Sequence, residues 1–172
     1  LEHAQPGMRI AVVAPTFADT RDTCMEGETG LITLAHQYGH HVESYNRSIG
    51  ESVVNGVSVR QFSSEEPDRL RGPQHHLVWF EELAAMRNVQ TTMDMALFGL
   101  RLGATPHWIA TTTPRAIPLI RSLLSDETVH CTKASTYDNP YLPETFRQNI
   151  IRRFEGTTLG RQELYGDVLT DM

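Results

Sequence analysis

Among 172 residues there is one lysine, Lys133, against fourteen arginines. The scarcity excludes one motif at once. A phosphate-binding loop of the form Gly-x-x-x-x-Gly-Lys-Ser/Thr needs its lysine beside a glycine, whereas Lys133 stands in Cys131-Thr132-Lys133-Ala134-Ser135. Cysteine is equally scarce. Cys24 and Cys131 are far apart and match no zinc spacing, which argues against a disulfide framework and a zinc ribbon. With no signal-peptide pattern and no long apolar run, both read as ordinary buried thiols in a reducing cytoplasm, and no membrane span is expected. A net charge of −6 rules out a surface that is cationic throughout, while leaving room for a local arginine track. Internal repeats and low-complexity tracts are absent.

What is present suits one domain with a sizeable core and room for a helical appendage. Leu1 to Met8 reads as a helix end and a turn at Pro6-Gly7, so the chain is expected to start in mid-domain. Arg9 to Pro15 is a continuous apolar strand of the parallel, doubly covered type, and Thr16 to Gly30 follows as a helix capped at Thr16 or Asp19. Between His41 and Ser63, short β segments surround the hairpin signal Asn55-Gly56. Ser64 to Gln74 is a polar loop or short helix closed by Gly72-Pro73, leading into a strand over Leu77 to Phe80. The pattern then predicts a helix over Thr91 to Leu102, a strand at Trp108, a helix over Pro118 to Ser125 and a strand over Val129 to Ala134. Helices over Pro143 to Phe154 and Leu159 to Leu169 close the chain. Alternating strands and helices define an α/β fold, a mostly parallel sheet flanked by helices with an inserted β-hairpin.

In open α/β sheets ligands bind beyond the carboxyl ends of the strands, which is where the polar chemistry of this sequence falls. The strand ending Trp79-Phe80 delivers Glu81 and Glu82. One carboxylate there can orient a hydrated magnesium ion and its neighbour an attacking water, with strand alternation pointing the two apart. Equally, the pair can simply open the next helix, where carboxylates favour the positive end. Thr111, Thr112 and Thr113, after the Trp108 strand, can bond a phosphate oxygen or a water, or be nothing more than a β-branched strand end. Arg69 and Arg71 can reach a phosphate in their own subunit or across an interface, or pair with Glu65, Glu66 or Asp68. His36, His40, His41 and the pair His75-His76 lack the nearby acid or cysteine that would complete a metal set.

Taken in order, several segments resemble the ATPase domain of tailed-bacteriophage large terminases, the DNA-packaging motors. They are Val13-Ala14-Pro15-Thr16, the run Phe62 to Gln74, Trp79-Phe80-Glu81-Glu82-Leu83, Thr111-Thr112-Thr113-Pro114-Arg115, and Ser135 to Pro140. The resemblance implies a RecA-like P-loop NTPase core of the ASCE class that uses ATP and Mg2+. Residues 1–142 would be a partial ATPase core, and residues 143–172 a helical segment leading towards a nuclease domain. Glu81 takes the Walker B metal-orienting position and Glu82 that of the catalytic glutamate, while Thr111, Thr112 and Thr113 match the coupling motif at the nucleotide. Arg71 is similar to an arginine delivered in trans, with Arg69 as the alternative.

The implied partners are double-stranded DNA, the portal protein, the small terminase subunit and further copies of the chain in a ring. No membrane is implied. The setting is the host cytoplasm, with transient docking on the procapsid. Two departures stand out. The family's metal-orienting acid is usually aspartate, one methylene shorter than Glu81, and the phosphate loop would lie upstream of Leu1. By this reading the full-length protein hydrolyses ATP and the isolated chain is inactive. A RecA-like helicase or translocase and a catalytically silent structural module remain the other readings.

Overall fold

The run Arg-Ile-Ala-Val-Val-Ala becomes β1 (Arg9–Ala14), whose last four residues are wholly buried. Such a strand needs a neighbour on each edge and cover on each face. In the computed structural model, described for residues 4–113 and 115–167, it has all four. It pairs in parallel with β4 (Val57–Ser63) on one side and β5 (Leu77–Phe80) on the other. Outside β5 lies β6 (His107–Ala110), again parallel, while β2 (Val42–Asn46) and β3 (Glu51–Val54) extend the β4 edge as an antiparallel meander. The order is β2-β3-β4-β1-β5-β6, the mostly parallel α/β sheet the sequence predicts. Asn55 and Gly56 both have positive φ, 49° and 74°, as a two-residue hairpin loop between β3 and β4 requires.

Helices cover both faces. After β1, Thr16 closes a capping box: its hydroxyl accepts the Asp19 N–H at 3.1 Å and its own N–H reaches the Asp19 carboxylate at 3.0 Å. The expected helix to Gly30 is corrected here. Helix α1 (Phe17–Asp19) passes into one π-helical stretch, Thr20–Met25, and stops. Gly27 and Gly30 then fold the chain so tightly that a Cβ on either would stand 2.6 Å from a backbone oxygen. A helix that the sequence reading lacks, α2 (Leu31–Gln37), follows. Its Ile32 and Ala35 join Cys24, Met25, Val12, Ala14, Val54, Val57 and Val59 in the core of that face. On the other face Ala11, Val13, Phe62, Val78 and Phe80 are buried, and α3 (Val89–Gly99) returns with Thr92, Met93, Ala96 and Gly99 buried. It ends three residues before the expected Leu102, because the chain breaks at Leu100 to bridge His75.

The chain forms two compact units, Leu1–Thr112 and Thr113–Met172, so a boundary at residue 142 falls inside the second. That unit holds α4 (Pro118–Ser125), α5 (Glu144–Phe154) and α6 (Thr158–Tyr165). No strand forms over Val129 to Ala134: the segment is largely exposed and pairs with no ladder, so its β pattern is not realised. Helix α6 stops at Gly166, in left-handed conformation with φ 63°, rather than running on. Val168 and Leu169, like Leu1 to His3 and Pro114, lie outside the described residues.

Candidate nucleotide-hydrolysis site

The register of β5 on β6 places Phe80 opposite Ala110, so the next pair is Glu81 with Thr111. The backbone continues that pairing past the strand ends. Glu81 N–H donates to Val13 O at 2.8 Å, Thr111 N–H to Phe80 O at 2.9 Å, and Leu83 N–H to Thr111 O at 3.0 Å. Glu81 lies on the Trp79 side of the strand. Its Oε2 accepts the Thr111 hydroxyl at 2.7 Å and the Trp79 indole N–H at 3.1 Å. Both bonds fall on one oxygen, which fixes the carboxylate while Oε1 accepts neither. Mg2+ characteristically keeps several waters and takes only one or two carboxylates, so a single positioned acid fits it. Among the described residues no group of three or more His, Cys, Asp or Glu gathers to cage an ion.

Glu82 departs from the strand. Its φ and ψ are both 51°, a left-handed conformation that costs a non-glycine residue roughly 1–2 kcal/mol. The turn is held from β6 and from within. Glu82 N–H points to Thr111 Oγ1 at 3.4 Å, Ala84 N–H donates to Thr112 Oγ1 at 3.0 Å, and Glu82 O accepts the Ala85 N–H at 2.8 Å. This kink turns the backbone at Glu82 out of the extended conformation of β5. Glu82 stands at the N-cap of the short 3-10 turn Leu83–Ala85 without a side-chain cap hydrogen bond. Strain of this kind persists where its surroundings over-determine it, here through two threonines that follow the adjacent strand.

The other motifs converge on the same ends of the strands. Ser63 and Ser64 hydroxyls donate to Pro15 O at 3.4 and 2.9 Å, and the Asn88 amide donates to Ser64 O at 3.1 Å, lacing the loops after β1, β4 and β5 together. Cys24 is buried nearby. Burial, then the charges of Glu81 and Asp19, push its thiol up to about 12, so it is an inert core group. Cys131 corrects the sequence reading, being exposed. Thr113 opens the second unit, and Pro114 is outside the described residues.

The arginines lie elsewhere. Arg69 pairs with Glu66 at 3.1 Å and Arg71 with Asp68 at 3.3 Å, both arginines about 70% exposed, so solvent weakens each pair. Arg71 lines a cleft of about 260 Å³ with Gly72, Pro73, Met95, Phe98, Gly99 and Arg101. Gly99 O accepts the His75 N–H, and His76 N–H reaches Arg9 O at the start of β1. The cleft is thus level with the amino ends of the strands. Glu81 is five positions on from His76, roughly 16 Å of strand rise. Arg71 and the acids stand at opposite ends of the sheet.

The histidines do not gather. His40 contacts Asn55 at 2.8 Å, His76 accepts the Arg9 N–H at 3.0 Å, and His75 is buried with neither ring nitrogen bonded. Sequence reasoning missed Trp79 as the second clamp on Glu81. Its place two residues upstream, on the same strand face, was the available signal.

Residues 3–171 match the family model for "Terminase large subunit, T4likevirus-type, N-terminal". No curated protein matches the sequence. Among solved structures, the large terminase of a thermophilic bacteriophage is similar over 99% of this chain and 43% of its own, at 15% identity and TM-score 0.78. The ADP complex of that protein gives a TM-score of 0.79 at 14% identity, over 98% of this chain and 42% of its own. The large terminase ATPase domain of Thermus phage P74-26 is similar over 97% of this chain and 79% of its own, at 18% identity and TM-score 0.63. The chain thus spans about two fifths of the first of these proteins, 43% of it. At these identities the solved structures show the fold, while the family match rests on the sequence itself. The chain belongs to the family of terminase large subunits, as part of their T4likevirus-type N-terminal region.

Proposed function

We propose that this chain is the hydrolytic face of an ATP-driven motor that moves double-stranded DNA into a procapsid. The observation that carries the reading is the clamp of Thr111 on the Glu81–Glu82 turn, which holds the Glu81 carboxylate and the Glu82 backbone at the strand ends. Glu81 would hold the hydrated magnesium that accompanies ATP. That complex, when bound, supplies the phosphoanhydride and the positive charge that balances it. Glu82 orients a water and takes its proton, and Thr111 and Thr112 tie its turn to β6, so that a shift of either is felt by the other. A large terminase bound to ADP and one bound to ATP-gamma-S share this fold, which supports a nucleotide here.

The 172 residues hold no Gly-x-x-x-x-Gly-Lys-Ser/Thr loop, so they do not by themselves fit the phosphates. We place that loop on a segment outside these residues, added to the free edge of β6, where Ile109 is half exposed. Arg71 serves a neighbouring copy's nucleotide, because it stands at the far end of the sheet from its own Glu82. The remaining partners are the portal protein and the small terminase subunit, met in the host cytoplasm at the procapsid.

Mixing variants of the full-length protein tests the reading. Arg71→Ala and Glu82→Gln subunits are each inactive alone and recover ATPase activity together, since one composite site then holds both groups. Co-assembly without recovery removes the trans role of Arg71. A wild-type protein without ATPase activity removes the motor reading and favours a silent module.

A further inference from the structure

Register places Trp79 between two unlike neighbours. On β1 it faces Val12, which is wholly buried, and on β6 Ile109, which is 50% exposed. Its side chain packs against the core cluster that holds Val12, Cys24 and Met25, and stays half-buried. Filling that space needs no nitrogen. The buried members of the cluster carry aliphatic side chains or sulfur and no side-chain N–H. What Trp79 adds is one donor, two residues before Glu81 on the same strand face.

That donor is spent on the site. The indole N–H donates to Glu81 Oε2 at 3.1 Å, and the Thr111 hydroxyl donates to the same oxygen at 2.7 Å. Hydrogen bonds to an ionised carboxylate are stronger than neutral ones, and two of them arriving from different strands restrain the torsions of an otherwise flexible glutamate. The two donors differ in reach. Thr111 also lies against the Glu82 N–H at 3.4 Å, whereas the bond of Trp79 goes to Glu81 alone.

We propose that Trp79 is a positioning residue for ATP hydrolysis: its indole N–H holds Glu81 Oε2 so that Oε1 is presented to the hydrated magnesium, and its ring senses whether that place is filled. This role rests on the magnesium-orienting reading of Glu81 given above. It also sets Trp79 apart from Thr111, since Trp79 serves one acid and Thr111 both. The core side of the ring anchors the donor, and the Ile109 side leaves it next to the thinly covered edge of the sheet.

Two measurements on the full-length protein test it. Trp79→Phe keeps a ring and removes the N–H, so kcat falls about tenfold while KM for ATP stays within about twofold, as lost orientation predicts. Aspartate is one methylene shorter and brings no oxygen to the indole, so Trp79→Phe added to Glu81→Asp lowers kcat no further. An equal loss in both backgrounds means that the ring only packs, and overturns the proposal. The second measurement leaves Trp79 in place. Adding Mg2+ to the ATP-gamma-S complex shifts the tryptophan emission of the wild type. Trp79→Phe and Glu81→Ala each lose the shift, while Trp108→Phe, which alters the ring against Phe80 on the opposite face of the sheet, keeps it. A wild type that hydrolyses ATP without any Mg2+-dependent shift, or a Trp79→Phe that retains it, overturns the role of Trp79 and leaves the motor reading in place. A wild type that shows the shift but no hydrolysis removes the motor reading and leaves the link between Trp79 and the metal standing.

Discussion

Thr111 is bonded to both acids of the site at once: its hydroxyl donates to Glu81 Oε2 at 2.7 Å and lies 3.4 Å from the Glu82 N–H. One side chain at the end of β6 therefore fixes the carboxylate at the end of β5 and the strained turn that follows. The arrangement follows from register, since Phe80 opposite Ala110 makes Glu81 and Thr111 the next facing pair.

Removing that hydroxyl separates positioning from binding. In the full-length protein Thr111→Val is expected to lower kcat by roughly ten- to a hundredfold with little change in nucleotide affinity, as loss of orientation predicts. Thr111→Ser, which keeps the donor, restores most of the rate. Steady-state ATPase assays beside a nucleotide titration decide it, and equal losses of rate and affinity in both variants would mean a folding defect.

The left-handed backbone of Glu82 makes a separate forecast about stability. Glu82→Gly relieves the φ of 51°, so the 172-residue chain should unfold no more easily than wild type and gain up to about 1 kcal/mol. Glu82→Val, β-branched in the same conformation, is expected to lose more than that. Urea unfolding of the three proteins orders them Gly, Glu, Val in falling stability.

His75 gives the fold an acid-side weakness. It is buried against Phe62, with ring centroids 5.6 Å apart, and neither nitrogen has a hydrogen-bond partner. Burial, then the charges of Arg60, Arg9 and His76, push it down to about 4 from its ordinary 6.5. The unfolded chain thus binds a proton on His75 that the folded chain refuses. The associated stability is complete above pH 6.5 and is lost as pH falls towards 4, at about 1.4 kcal/mol per unit for this group. His75→Phe should flatten the slope of unfolding free energy between about pH 6.5 and 4.5, and an unchanged slope would place the proton elsewhere.

The isolated chain is expected to bind ATP weakly, because it supplies the acids but no phosphate-cradling amides or adjacent lysine. Calorimetric titration should show a dissociation constant in the millimolar range or none. Micromolar binding would mean that other residues within this chain hold the phosphates.

The strand ends that carry Glu81 and Thr111 are legible because periodicity locates strands well. Val12 and Val13 announce a doubly covered strand, Asn55-Gly56 a hairpin, and Glu81-Glu82 a polar strand end. The left-handed turn at Glu82 was not legible, since it depends on bonds from Thr111 and Thr112, far along the chain. The π-helical stretch and α2 were hidden by the reading of one unbroken helix across Gly27 and Gly30. Val129 to Ala134 has a strand's composition and no strand beside it, and pairing decides.

The central claim is that Glu81 and Glu82 divide the labour of hydrolysis, and single-turnover ATP hydrolysis by full-length Glu82→Gln, measured beside its ATP affinity, tests it most directly. The account predicts near-normal affinity and a rate lower by several orders of magnitude. Hydrolysis by Glu82→Gln at close to the wild-type rate, with Glu81→Gln inactive, would contradict it.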